Sequence, residues 1–165
     1  MMDEPKALIS VAEFHRTFNL PVVEAPKIPS AERCQLRINL LQEELDELKA
    51  AIADHDIVEV ADALSDIQYV LSGAVLEFGL GEEFKTLFDE VQRSNMSKVC
   101  SSLEVAEKTL EYYRTERNTE GYIEQKGDKF LVYRTMDQKV LKSIEYSPAD
   151  LKSILSKSLQ SVDPE

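Results

Sequence analysis

The chain has 165 residues, a net charge of −12 and an ordinary globular composition, 43% apolar and 30% charged, which favours one domain with a substantial core. The negative charge argues against a nucleic-acid partner, because tracking a phosphate backbone requires a basic stripe. No apolar run approaches the roughly 20 residues of a bilayer span, and no basic leader opens the chain. We therefore expect a cytoplasmic protein with no membrane partner, in which Cys34 and Cys100 are free thiols.

Apolar residues at helical spacing, together with capping residues, predict five helices in the first part of the chain. They cover residues 3–18, 31–53, 57–78, 82–94 and 101–117. The loop before the second helix is rich in proline, and Gly79 follows the third helix as a stop signal. These helices predict a mainly α protein built on a four-helix core.

Later in the chain the apolar period changes from helical to alternating. The alternating pattern predicts a β hairpin over 122–134 and a third short strand over 139–144. Pro148 then starts a short terminal helix. We expect a helical domain over 1–117, with the small C-terminal β hairpin and short helix of 118–165 packed on the same domain.

The second and third predicted helices carry carboxylates at helical spacing. These are Glu43, Glu44 and Glu47 on the second helix and Glu59, Asp62 and Asp66 on the third. Residues three, four or seven positions apart share one face of a helix. If the two faces meet, these like charges converge in a helical core. Asp66 also lies in an apolar stretch of its helix. Carboxylates brought together in this way require a cation to neutralise their charge.

The types of donor restrict the metal. A di-iron bundle requires Glu-x-x-His motifs, and neither His15 nor His55 completes one. No cysteine accompanies the carboxylates, which argues against structural zinc. Oxygen ligands alone favour Mg²⁺, with Mn²⁺ as the usual substitute, and Mg²⁺ in such sites keeps water and binds substrate phosphate. The predicted chemistry is metal-assisted attack of water on a phosphoryl group.

The two motifs, Glu43-Glu44-x-x-Glu47 and Glu59-x-x-Asp62, resemble the signature of the all-α nucleoside triphosphate pyrophosphohydrolases. That superfamily includes the MazG-like enzymes, the phosphoribosyl-ATP pyrophosphohydrolases and the dimeric dUTPases. Further similar segments are Phe14-His15, Leu36-Arg37, the run from Asp66 to Gly73 and the run from Glu90 to Lys98. The resemblance covers residues 11–98 and reappears over 139–148.

One position departs from the family pattern. If the run from Asp66 to Gly73 sets the register, the glutamate expected at position 63 is Ala63. If Glu59 and Asp62 are aligned with the motif instead, the motif is satisfied and lies one helical turn earlier. Asp62 and Asp66 are four positions apart, so both registers deliver two carboxylates to one helix face. The sequence leaves open which aspartate belongs to the motif.

The resemblance implies hydrolysis of a (deoxy)nucleoside triphosphate to the monophosphate and pyrophosphate, as in the cleansing of nucleotide pools. The implied Mg²⁺ ligands are Glu44, Glu47, Glu59, Asp62 and Asp66. The implied catalytic carboxylate is Glu43 or Glu44, which takes a proton from the attacking water. The implied substrate contacts are Asn95, Lys98, His15 and Arg37.

Two other interpretations of the function stay open. The same motifs fit a phosphoribosyl-ATP pyrophosphohydrolase, and Ala63 at the place of an expected acid favours a non-catalytic helical module that binds nucleotides or another protein. We also predict a homodimer or homotetramer, because one chain supplies only two helices of the motif and a subunit interface can complete the site.

Overall fold

A computed structural model of the chain describes residues 3–160. Within them the chain forms α1 (Ala7–Thr17), α2 (Ala31–Ala53), α3 (Ile57–Glu77), α4 (Phe84–Met96), α5 (Leu103–Arg117), β1 (Gly121–Lys126), β2 (Lys129–Arg134) and α6 (Leu151–Gln160). The predicted class is confirmed: the chain is mainly helical and carries one small antiparallel hairpin near its C-terminus. No helix in this part of the chain is both long and apolar enough to cross a bilayer.

The chain divides into two compact units. The first holds the described residues up to Phe84 and those from Ile154 onward, and the second is Lys85–Ser153. The domain boundary predicted after Arg117 falls inside the second unit and stays a prediction. In this unit α5 packs against β1 and β2, and Ala106 of α5 shares an apolar core with Val132 of the hairpin. The fourth predicted helix, α4, also belongs to the second unit.

In the first unit, α3 packs against both α1 and α2. Val11, Ala12 and Leu76 form a buried core between α1 and α3. The helix starts follow local chemistry: the Ser30 hydroxyl accepts the Arg33 N–H at the start of α2, and a carboxylate caps α3. α1 begins at Ala7, later than predicted, and the side chain of its N-cap residue Lys6 makes no capping hydrogen bond.

The end of α3 is held against the loop that precedes α2. The Val23 N–H donates to the Leu76 carbonyl at 3.0 Å, and the Lys27 N–H donates to the Phe78 carbonyl at 3.1 Å. Gly79 has a φ of +68°, and a Cβ at this position would lie 2.0 Å from the Ala25 carbonyl oxygen. The predicted helix stop is therefore confirmed, and only glycine fits there.

The second unit is built on the hairpin and α5. β1 and β2 pair antiparallel from Gly121 opposite Arg134 to Lys126 opposite Lys129, with the turn at Gly127. Cys100, Ala106, Val132 and Leu141 form its buried core. Among the described residues, 139–144 form no third strand, because this segment bridges β2 only around Val140. The prediction of a third strand was therefore wrong.

The ends of two other helices differ from the predicted ones. α5 begins at Leu103 rather than at 101, and Ser102 caps it by accepting the Val105 N–H at 3.2 Å. The terminal helix begins at Leu151, beyond Pro148, because the Asp150 carboxylate accepts the Ser153 N–H and supplies the cap.

Candidate functional site

The turn between α2 and α3 brings the two carboxylate motifs onto facing helices. A cleft of about 370 Å³ lies where α2 ends and α3 begins. Its lining consists of Glu47, Ala50, Ala51, Asp54, Asp56, Glu59, Asp62 and Ala63. Three of the predicted metal ligands, Glu47, Glu59 and Asp62, therefore share one cleft.

Glu44 lies farther along the same α2 face and is half-buried. Its Oε2 atom is buried and has no hydrogen-bond partner among the described residues. Burial raises the pKa of Glu44, and the neighbouring charges of Asp66, Glu47, Glu43 and Asp62 raise it further. The structure therefore brings carboxylates from both motifs close to Glu44.

Within residues 3–160, the carboxylates of the two motifs are not paired with cations. In the described part of the chain, none of the carboxylates of the two motifs pairs with a lysine or arginine within 4.0 Å. By contrast, Asp46 on another face of α2 pairs with Lys49 at 2.7 Å. The clustered carboxylates therefore repel one another, and one buried oxygen lacks a hydrogen-bond donor or a cation among the described residues.

The type of donor atom in this cluster suits Mg²⁺ or Mn²⁺. It contains only carboxylate oxygens, and the orphaned Glu44 oxygen is free to accept a cation. No three of the described His, Cys, Asp and Glu side chains already converge on one metal position. Mg²⁺ does not require such a cage, because it commonly binds one or two carboxylates and completes its shell with water and phosphate.

Asp62 is common to both parts of the cluster. It lines the cleft with Glu47 and Glu59, and its charge also raises the pKa of Glu44. Asp66 is close enough to affect Glu44, but its side chain is exposed in the single chain. The apolar surroundings predicted for Asp66 are therefore absent, because apolar residues beside it are themselves uncovered: Leu64 is 52% exposed.

Two acidic residues of the cleft lie in the turn between α2 and α3, outside both predicted motifs, so the motifs did not predict them. Asp54 ends α2, and Asp56 begins α3, where its Oδ1 accepts the Val58 and Glu59 N–H groups at 2.9 and 3.2 Å. Their position in the sequence could have predicted this, because they lie in a short turn between two helices that carry the carboxylate motifs. Ala63 is buried in the lining, at the position where the family pattern expects an acid.

His15 and Arg37, predicted to contact substrate, lie in the interior of the first unit. His15 is 2% exposed and its Nδ1 lies 2.8 Å from the Pro21 carbonyl, while Arg37 pairs with Glu77. Both pack on Gly73, where a Cβ would lie 2.8 Å from Arg37 Nη1 and 3.0 Å from His15 Nε2. This burial favours a structural role, and their substrate contact stays a prediction.

Asn95 and Lys98 lie at the end of α4 and just beyond it. The Lys98 ammonium donates to the Asn95 side-chain oxygen at 2.7 Å. Asn95 is exposed and Lys98 is half-buried. They belong to the second unit, and their substrate contacts also stay a prediction.

Residues 11–95 match the phosphoribosyl-ATP pyrophosphohydrolase family. The matched span is slightly more than half of the chain and contains both carboxylate motifs. The chain belongs to the phosphoribosyl-ATP pyrophosphohydrolase family. The matched span ends before Lys98, α5 and the hairpin.

A curated relative is the uncharacterized protein L479 of Acanthamoeba polyphaga mimivirus, which is 31% identical over 100 residues. The similarity covers 58% of this chain. The chain spans only 40% of the length of that relative.

Proposed function

We propose that the protein hydrolyses a (deoxy)nucleoside triphosphate to the nucleoside monophosphate and pyrophosphate with Mg²⁺, or Mn²⁺ in its place. The observation that carries the proposal is the buried, unpartnered Oε2 of Glu44 among carboxylates of α2 and α3 that lack paired cations. The resemblance of the motifs to pyrophosphohydrolases supports the same reaction. The biological role we propose is the cleansing of nucleotide pools in the cytoplasm.

In this reaction water attacks the α-phosphorus, the bond from that phosphorus to the bridging oxygen breaks, and pyrophosphate leaves. Glu44, Glu47, Glu59, Asp62 and Asp66 would hold the metal, which when bound neutralises phosphate charge and orients the triphosphate. Glu43 or Glu44 takes the proton that the attacking water loses. The choice between Glu43 and Glu44 stays open, because a cation bound to this cluster would offset the carboxylate repulsion that raises the pKa of Glu44 in the metal-free chain.

A second candidate substrate is phosphoribosyl-ATP. The family to which residues 11–95 belong carries this substrate in its name. The chemistry is the same, since a phosphoribosyl-ATP molecule also carries an α–β phosphoanhydride. The two candidates differ in the ribose-phosphate on the base, so a substrate panel that contains both separates them.

We further propose that a second copy of the chain covers apolar helix faces of the first unit. On α2, the side chains of Ile38, Leu45 and Ile52 repeat every seven residues and are 59%, 42% and 57% exposed. On α3, Leu64 and Leu71 repeat in the same way and are 52% and 38% exposed. Exposed apolar rows of this kind are typical of helical interfaces between subunits. Light scattering with size-exclusion chromatography tests for a homodimer or homotetramer, and a monomer at micromolar concentration would contradict it.

The test of the function is a panel of nucleoside and deoxynucleoside triphosphates with phosphoribosyl-ATP, assayed with Mg²⁺ and with Mn²⁺. Release of monophosphate and pyrophosphate together supports the proposal. Saturable binding of a nucleotide without turnover would instead support the non-catalytic module that Ala63 suggests. Asn95 and Lys98 are proposed substrate contacts, and their variants should then raise KM.

A further inference from the structure

A second pocket of about 650 Å³ lies within the second unit, outside the residues that match the family. Its lining consists of Tyr112, Tyr113, Arg117, Lys142, Ser143, Ile144 and Tyr146. Its volume is in the range of small-molecule sites. Three phenol rings and two cations line it, and none of the lining residues in the described part of the chain is acidic.

The two cations of the pocket are not neutralised. Neither Arg117 nor Lys142 lies within 4.0 Å of a described carboxylate oxygen. Both are instead held by tyrosines. The Arg117 Nε donates to the Tyr112 hydroxyl at 3.2 Å, and the Lys142 Nζ lies 4.3 Å from the centre of the Tyr146 ring. The cations are therefore positioned at the pocket and remain available to an anion.

The rings are fixed as well. The Tyr112 and Tyr113 rings pack edge to face with their centres 5.4 Å apart. The Tyr113 hydroxyl accepts the backbone N–H of Lys142 at 3.2 Å, and the Tyr146 hydroxyl accepts the Ser94 hydroxyl at 3.0 Å. Each of these two phenols keeps its own O–H to donate. Tyr112 is 38% exposed, so part of its ring is open to a ligand.

Nearby charges act on two of the side chains that line this pocket. The hydrogen bond from Ser94 lowers the pKa of Tyr146, and the charges of Lys142 and Lys98 lower it further. The hydrogen bond to Tyr112 raises the pKa of Arg117, and the negative charge of Glu116 raises it further. A ligand that suits these walls has a planar ring for the tyrosines and an anionic group for Arg117 and Lys142.

We propose that this pocket is a metal-independent binding site for a nucleoside monophosphate, with the base against Tyr112 and the phosphate on Arg117 and Lys142. The requirement for a planar ring joined to an anion comes from the pocket itself. The choice of a nucleotide among such ligands rests on the proposed function, since a monophosphate is a product of that reaction. The pocket would then bind the product of the reaction through residues that do not line the carboxylate cleft.

The test measures binding of UMP and AMP by titration calorimetry in excess EDTA, which removes metal from the carboxylates. Uridine and phenyl phosphate are the comparison ligands. The unaltered protein should bind a nucleotide saturably, and more tightly than either comparison ligand, and affinity should fall with salt. The Arg117→Gln/Lys142→Gln variant should bind at least about tenfold more weakly, because two charge-assisted contacts are lost.

Arg114→Gln is the matched control, because Arg114 lies on the same helix but pairs with Glu111 at 3.1 Å. It should bind like the unaltered protein. No saturable binding, equal binding of uridine, or an unchanged affinity in the double variant would overturn the proposal. Phenyl phosphate binding as tightly as UMP and AMP would overturn the assignment to nucleotides.

A second readout does not depend on any variant. With ring-labelled tyrosine, the NMR signals of Tyr112, Tyr113 and Tyr146 should shift on adding UMP or AMP, while those of Tyr69, Tyr122 and Tyr133 should not. Shifts confined to the latter three would overturn the location. Because binding is measured without metal and turnover requires metal, failure here and failure of the hydrolase proposal are distinguishable.

Discussion

Glu77 should be the most sensitive charged residue of the first unit. Its side chain is 1% exposed and pairs with Arg37, which is 9% exposed, and with Arg33, which is 33% exposed. Glu77→Gln removes the negative charge and leaves the Arg37 guanidinium buried without a counter-ion. Breaking a buried pair in this way destabilises a protein by about 3–5 kcal/mol. At about 2–4 °C per kcal/mol for this size, the melting temperature should fall by about 6–20 °C.

The assay is urea unfolding followed by circular dichroism, with thermal melts in parallel. Asp46→Asn is the matched control: it breaks the exposed pair with Lys49 and should change the free energy of unfolding by no more than about 1 kcal/mol. Arg37→Met combined with Glu77→Met should recover much of the loss, because both buried charges are then absent. A loss below about 1 kcal/mol in Glu77→Gln would refute the reasoning.

Glu77 also makes the free energy of unfolding depend on pH in the acid range. The hydrogen bonds from Arg37 and Arg33 outweigh desolvation, which acts in the opposite direction, so the pKa of Glu77 lies below its ordinary 4.5 in the folded protein. Its stabilisation is therefore present above 4.5 and is lost as the pH falls through the folded pKa. The difference between the unaltered protein and Glu77→Gln should shrink over that acid range.

Three predictions concern the carboxylate cluster. Asp62→Asn should lower kcat by about a hundredfold on any nucleotide that is turned over, whereas Asp46→Asn should not, as steady-state assays would show. Mg²⁺ at a hundred times its Kd should stabilise the protein by about 2.7 kcal/mol in a thermal melt, and equal shifts from NaCl at matched ionic strength would indicate screening only. In the metal-free protein, the raised pKa of Glu44 contributes stability that is present below 4.5 and lost as pH rises through the folded pKa. Glu44→Gln should abolish that loss in urea titrations across pH, and an unchanged pH slope would contradict it.

Local signals predicted most of the helices. α2 begins and ends where the sequence placed it, and α3 starts as predicted and stops before Gly79. These ends depend on a few neighbouring residues, so a sequence pattern can locate them. The third strand failed because strand pairing depends on the partner: residues 139–144 alternate correctly but meet β2 only at a bridge.

The site was predictable in outline and not in detail. Helical spacing placed Glu47, Glu59 and Asp62 on facing helices, and they do line one cleft. The spacing could not show that Asp66 is exposed, because an apolar stripe predicts burial without saying what covers it. Helical spacing also could not show that Arg37 forms an ion pair with Glu77. The two residues are far apart in sequence and meet only because α2 packs on α3.

We propose that the carboxylate cleft splits a nucleoside triphosphate between its α and β phosphates. Phosphorus NMR of the first products tests this, with Mg²⁺ and a panel of nucleoside and deoxynucleoside triphosphates that includes phosphoribosyl-ATP. Monophosphate and pyrophosphate should appear together and at equal rates, and Asp62→Asn should suppress both. Orthophosphate and a diphosphate as the first products would contradict the account, whichever base is preferred.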